Sequence, residues 1–118
     1  MDKENILREK SFLFSLEVIQ SWKLIRVNKV PYDLASQFVR SGTAIGALIR
    51  ESEHAESKKD FIHKLSISLK EAMECEYWID LLNKSGYLPE EITRVLQIQL
   101  LALIKMLTAS IRTVKSRL

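Results

Sequence analysis

SKKDFIHKLSISLKEAMECEYWIDLLNKSG, residues 57–86, decides the fold by its spacing. Phe61, Leu65, Ser68, Ala72, Cys75, Ile79 and Leu82 recur at alternating steps of four and three residues. That is the seam of a helix packed in a bundle. Ser57 followed by Asp60 reads as a capping box with a shorter acid than usual, and Gly86 is a natural helix terminator. A helix is therefore expected from about Ser57 to Lys84.

Beyond Gly86, Pro89-Glu90-Glu91 places proline in a first turn and acids at the positive pole of a helix. The helix it opens is expected to reach about Ser116, with Ile92, Leu96, Leu100, Leu103, Leu107, Ile111 and Val114 as its seam. Before Ser57, the break at Glu53–Ser57 closes a helix expected from about Pro31 to His54. Its ridge is Leu34, Phe38, Ile45 and Ile49, beside a row of small residues, Ala35, Gly42 and Gly46. A glycine inside a helix costs about 1 kcal/mol relative to alanine, so two at i and i+4 imply a close neighbouring backbone. Ser68 and Ala72 are expected to face that row. Val30-Pro31 marks the first break, because proline disfavours helix in the residue before it. The first helix is expected to begin between Asn5 and Ser11, both N-cap types, and to run to about Asn28. Leu7, Phe14, Val18, Trp22 and Ile25 form its stripe, widened by Phe12, Leu16 and Ile19.

Four helices of about 24 to 28 residues would each be roughly 36 to 42 Å long. Short loops force neighbours to run antiparallel. The expected fold is all-α, one antiparallel up-and-down four-helix bundle forming a single domain over residues 1–118. Only three glycines and two prolines interrupt the chain, and no stretch alternates like a strand.

Several function classes recede on composition. Cys75 is alone, so no disulfide framework forms within one chain. The charged start Met1–Asn5 reads unlike a signal peptide and none is expected, and the run Val95–Leu107, interrupted by Gln97, Gln99 and Lys105, is far short of about 20 apolar residues. A cytoplasmic protein with no membrane association is expected. The net charge is +3. From Gly86 onward Arg94, Lys105, Arg112, Lys115 and Arg117 face only Glu90 and Glu91. Basic last turns suit a helix dipole, and the same residues are a candidate patch for nucleic-acid phosphates.

The helices carry more apolar surface than one bundle needs: Val95, Ile98, Leu101, Ile104 and Met106 on the fourth, Leu13 and Leu24 on the first, Ile67, Trp78 and Leu81 on the third. Surplus apolar surface marks an interaction face, and a homo-oligomer is expected.

Glu51-Ser52-Glu53-His54 has the Glu-x-x-His spacing of di-iron bundles, and Asp60-Phe61-Ile62-His63 is an Asp version, with Glu17 and Glu74 as further nominees. Both motifs flank one loop among surface-type residues, whereas a core site needs inward ligands at matched depth. No metal and no cofactor are therefore assigned. Cys75 on a seam reads as a small buried hydrophobe, and no phosphate loop or serine elbow occurs. Glu71, Glu74 and Glu76 line the third helix. Arg50 either takes part in ordinary surface pairing or bridges to these carboxylates.

Arg40-Ser41-Gly42-Thr43-Ala44-Ile45-Gly46-Ala47-Leu48-Ile49-Arg50-Glu51, then Ser57-Lys58-Lys59-Asp60-Phe61-Ile62-His63-Lys64-Leu65, together resemble the signature of the four-helix bundle protein family. Its members are also called 23S rRNA intervening sequence proteins and were once labelled ribosomal proteins. Leu69-Lys70-Glu71-Ala72, Glu74, Tyr77-Trp78-Ile79, Gly86-Tyr87 and Lys10-Ser11-Phe12 fit as well, so the match covers roughly half the chain. The family often has Asn where this chain has Leu48, which removes a polar group there. The resemblance implies an antiparallel bundle assembling into a barrel-like homopentamer. Some members are encoded inside ribosomal RNA intervening sequences, and a related group comprises basic accessory proteins of diversity-generating retroelements that bind reverse transcriptase and nucleic acid.

The function expected is a non-enzymatic homopentamer that binds RNA or DNA through Lys23, Arg26, Lys29, Arg112, Lys115 and Arg117. The alternatives are an adaptor for a protein partner without nucleic-acid binding and, behind it, a metal-dependent bundle enzyme.

Overall fold

The computed structural model describes residues 3–118, with side chains from Asn5 onward; Met1 and Asp2 of the charged start lie outside the described residues. Four helices occur among them: α1 (Lys3–Ile25), α2 (Tyr32–Ser52), α3 (Lys58–Lys84) and α4 (Glu90–Lys115). No strand occurs among the described residues. Pairings along the helices fix their directions. Arg8 meets Glu53 and a Cβ on Gly42 would meet Val18, so α2 returns along α1. Arg40 meets Glu74, Ile45 meets Ser68 and Glu51 meets Lys64, so α3 returns along α2. Gln97 meets Asp80 and Lys58 meets Arg117, so α4 returns along α3. Leu7 and Ser110 line one small cavity, and Lys10 and Ala102 another, which closes α4 antiparallel against α1.

The ends are set by local chemistry. α1 begins by Lys3 and runs through Asn5 and Ser11 instead of starting at one of them. Good helix formers precede Ser11, whose hydroxyl donates to the Arg8 carbonyl at 3.0 Å and so sits inside the helix. A 3₁₀ turn, Arg26–Asn28, follows, and Lys29 stops it in the left-handed region at φ 58°. α2 ends at Ser52, short of His54. Ser57 caps α3, its hydroxyl accepting from the Asp60 N–H at 3.0 Å, while the Asp60 carboxylate accepts from the Glu56 N–H at 3.1 Å. Gly86, at φ 88°, ends α3 in a Schellman turn: its N–H donates to the Asn83 carbonyl and that of Tyr87 to the Leu82 carbonyl.

The core is built from the seams read from the sequence, except that Phe12 and Leu16, expected to widen the stripe of α1, are exposed. Phe14, Val18 and Ile25, Phe38 and Ile45, Leu65, Ala72, Cys75, Ile79 and Leu82, and Leu96, Leu100, Leu103 and Leu107 are all buried. Each large one stabilises by about 1.5 to 3 kcal/mol. Phe61 is half-buried, and Ile62 takes the inner place beside it. The glycines of α2 do not face α3. A Cβ at Gly42 would lie 2.7 Å from Val18 Cγ2, and one at Gly46 3.3 Å from the Ser11 carbonyl oxygen, both on α1. Ser68 approaches α2 at another point, donating its hydroxyl to the Ile45 carbonyl at 2.9 Å. α4 is, by length and composition, apolar enough to cross a membrane. In the bundle one side of it is buried and Arg94, Gln97 and Lys105 lie on the exposed side.

Candidate nucleic-acid interface

The six basic residues read from the sequence fall into two groups. Lys23, Arg26 and Lys29 lie at the carboxyl end of α1 and the turn after it. Arg112, Lys115 and Arg117 lie at the carboxyl end of α4. Because α1 and α4 are antiparallel, those ends are at opposite poles of a molecule 48 Å long. Counting from the level where Lys10 meets Ala102 puts the groups roughly 40 Å apart. All six are exposed. Arg26 stacks over the Trp22 ring at 5.2 Å. Arg112, Lys115 and Arg117 have no carboxylate partner among the described residues. At their pole the α3 amino terminus adds Lys58, whose ammonium donates to the Arg117 carbonyl at 3.4 Å, and a cleft of about 310 Å³ lies between Ser57, Lys58, Val114 and Arg117.

The signature residues have separate tasks. Ser41 is buried and its hydroxyl donates to the Gln37 carbonyl at 2.9 Å. Gly42 and Gly46 admit α1. Ser57 and Asp60 make the cap, and half-buried Phe61 packs against the core. Glu51 meets Lys64 at 3.6 Å. The carboxylates Glu71 and Glu74 are bridged by Arg40, not by Arg50: Nη1 reaches Glu71 at 2.9 Å and Nη2 reaches Glu74 at 2.8 Å. Trp78 Nε1 donates to the same Glu74 oxygen at 3.3 Å. That indole hydrogen bond first, and then Arg40, hold the Glu74 carboxyl below its ordinary value; Glu71 chiefly raises Arg40. Arg50 has no carboxylate partner among the described residues. It lies over the exposed Phe12 ring of α1, 5.2 Å from the centroid. Sequence reasoning missed both the Arg40 bridge and the Arg50–Phe12 pair; the signal for the second was that Arg50 stands four residues after Gly46, on the face α2 turns to α1.

No three His, Cys, Asp or Glu side chains converge among the described residues. Glu51 is paired with Lys64, Asp60 is engaged in the cap, and His54 and His63 are exposed. Burial pushes the Cys75 thiol up to about 12, which keeps it a neutral hydrophobe at physiological pH.

Between α1 and α4 runs an apolar strip. Leu13 (51% exposed) and Lys10 face Gln99 and Ala102 across a groove of about 150 Å³. Leu16 continues it on α1, and Val95 and Ile98 (65% exposed) on α4. Half-buried Gln99 has its Oε1 shut off from solvent with no hydrogen-bond partner.

A search of the curated proteins found no match. Among solved structures, a crystal structure of a protein of unknown function from the S23 ribosomal protein family of Bacteroides thetaiotaomicron is 37% identical to this chain. The likeness covers 94% of this chain and 99% of that one, with a TM-score of 0.90. The family model described as 23S rRNA-intervening sequence protein matches residues 3–109. With the four helices and the glycine–arginine signature of α2 in place over that span, the chain belongs to the 23S rRNA-intervening sequence protein family.

Proposed function

We propose that this chain works as a non-enzymatic cytoplasmic homopentamer that holds RNA or DNA through its basic side chains. The observation that carries the assembly is the α1–α4 strip, where Leu13, Leu16, Val95 and Ile98 stay exposed although the bundle's own core is complete. Contiguous apolar surface of this kind is favourably covered, at about 25 cal/mol per Å². The Gln99 Oε1 acceptor lies in the same groove. That oxygen is sealed from solvent, so the exposed side chains of the strip, and not this acceptor, are what a second copy can cover.

The unpaired Arg112, Lys115 and Arg117 support the nucleic-acid part of the reading. One such cluster binds weakly; several held together act by multivalency. The test is native mass by light scattering after nuclease treatment. A mass near five times 13.7 kDa is expected, and a monomer at micromolar concentration overturns the assembly. Oligonucleotide binding that weakens steeply with salt is expected next. A pentamer that binds no oligonucleotide leaves the protein-adaptor reading in its place.

A further inference from the structure

We propose that the groove lined by Arg8, Phe12 and Arg50 is a docking site for one nucleotide of a single strand, its base stacked on the Phe12–Arg50 pair and its phosphate held by the Arg8 and Arg50 guanidinium groups. The site rests on the reading that the chain holds nucleic acid, and it says where and in what form.

The observations come from two helices. Phe12 is 49% exposed on a bundle that buries its other large rings more deeply along the same helix, Phe14 at 0%. Gly42, Gly46 and Arg50 follow one another at i+4 on the face α2 turns to α1, and the two glycines draw the helices close. Arg50 therefore emerges directly over Phe12, at 5.2 Å, with its charge unmatched by any carboxylate among the described residues. Beside the pair lies an open groove of about 330 Å³, reached by Arg8 and Glu9 from α1. Arg8 is paired with Glu53 at 3.6 Å, longer than a charge-assisted hydrogen bond, and a phosphate in the groove would compete with Glu53 for it. Glu9, the carboxylate of this groove, repels phosphate from its own side and sets the strand's backbone toward the arginines.

An aromatic ring topped by a guanidinium is a stacking platform for an unstacked base, and every base has a π-face. In a duplex those faces are already stacked, so the ring selects single strands. An acidic peptide would use the arginines and leave the ring idle.

The experiment is fluorescence anisotropy on the full chain in about 50 mM salt, with labelled single-stranded RNA and DNA of about 12 nucleotides, the matching duplex, and a poly-glutamate peptide. The variants are Phe12→Leu, Arg50→Ala and, as an equal loss of charge at the far pole, Lys84→Ala. Phe12→Leu and Arg50→Ala are each expected to weaken single-strand binding about tenfold, and Lys84→Ala to change it little. Duplex binding should respond to Arg50→Ala and not to Phe12→Leu. Native mass and helical circular dichroism confirm that Phe12→Leu is folded and assembled as the parent is. The expected loss in both groove variants upholds the site, and a tighter parent affinity for RNA or for DNA identifies the strand, equal affinity meaning that the sugar is not read. Parent-like affinity of both groove variants overturns the site while leaving the nucleic-acid reading intact. A parent protein that binds no oligonucleotide removes that reading and the site with it. Poly-glutamate binding as tight as the single strand assigns the groove to acidic peptides instead.

Discussion

A methyl group added at Gly42 would sit 2.7 Å from Val18 Cγ2 and 3.0 Å from Cγ1. Val18 is fully buried and, being β-branched, is stiff at χ1, so it cannot swing aside. On an open helix face Gly→Ala stabilises by about 1 kcal/mol. Here overpacking of about 1 to 3 kcal/mol opposes that gain, and Gly42→Ala is expected to lower stability in urea denaturation. Adding Val18→Ala removes the clash, so the double variant should lose less than the two single losses combined. A Gly42→Ala protein more stable than the parent would show that α1 does not press on this position. The glycine row itself was legible, because two glycines at i and i+4 imply a close neighbour. Its neighbour was not. Small residues on α3 suggested a small-on-small contact, whereas a missing Cβ equally makes room for a large knob such as Val18. Spacing says which residues share a face and not which helix lies against it.

Between elements, α2 and α3 are tied by Arg40 to Glu71 and Glu74, with Trp78 donating to the latter. Arg40 is 49% exposed and Glu74 35%, so solvent screens the tie and its worth is at the low end for ion pairs. Its pH signature is still readable. The Glu74 carboxyl is held below its ordinary value near 4.5 in the folded chain. A depressed folded value means that the stabilisation is complete above about pH 5 and fades as pH falls through the lower folded-state value. Glu74→Gln is therefore expected to flatten the acid side of a plot of thermal midpoint against pH, the two curves converging at the acid limit. Parallel curves would mean that Glu74 is not specially held. The sequence offered Arg50 for this bridge and the structure uses Arg40. The two differ by ten residues along α2, almost three turns, and only the register against α3, set by the length of the turn at 53–57, decides which meets Glu74. The helix ends were easier to read, since Ser57, Asp60 and Gly86 act through bonds within a few residues. Ser11 misled because a serine hydroxyl bonds backwards within a helix as readily as it caps one.

At the scale of the whole molecule, the seams of α3 and α4 specified the core because spacings of three and four residues, strictly alternating on α3 and running four, four, three on α4, leave few ways to bury it. The basic residues were a different matter. Charge counted along a chain ignores that in an up-and-down bundle the carboxyl ends of the first and fourth helices point to opposite poles, so a single six-residue patch within one chain is excluded by the connectivity. The surplus apolar residues divide: Leu13, Leu24, Val95, Ile98 and Leu101 remain exposed once the core is complete, whereas Ile67, Trp78, Leu81, Ile104 and Met106 are half-buried. Two kinds of apolar position lie on opposite sides of one turn of α4, Leu96 sealed and Ile98 exposed. Leu96→Glu places a carboxylate in the sealed core, where an unpaired charge costs several kcal/mol, and the helical signal should collapse. Ile98→Glu, two residues on, meets water in the single chain and should leave helicity intact. If the α1–α4 strip is the contact between copies, that same change buries a charge in each interface, and native mass should fall to that of one chain, with Leu13→Glu acting alike from α1. Full-size particles from folded Ile98→Glu and Leu13→Glu proteins would move the contact to another face. Because Ile98 is on α4 and Leu13 faces α4, whereas Phe12 and Arg50 meet on the α2 side of α1, oligonucleotide binding by the resulting monomers measures the strength of one site without the help of its neighbours.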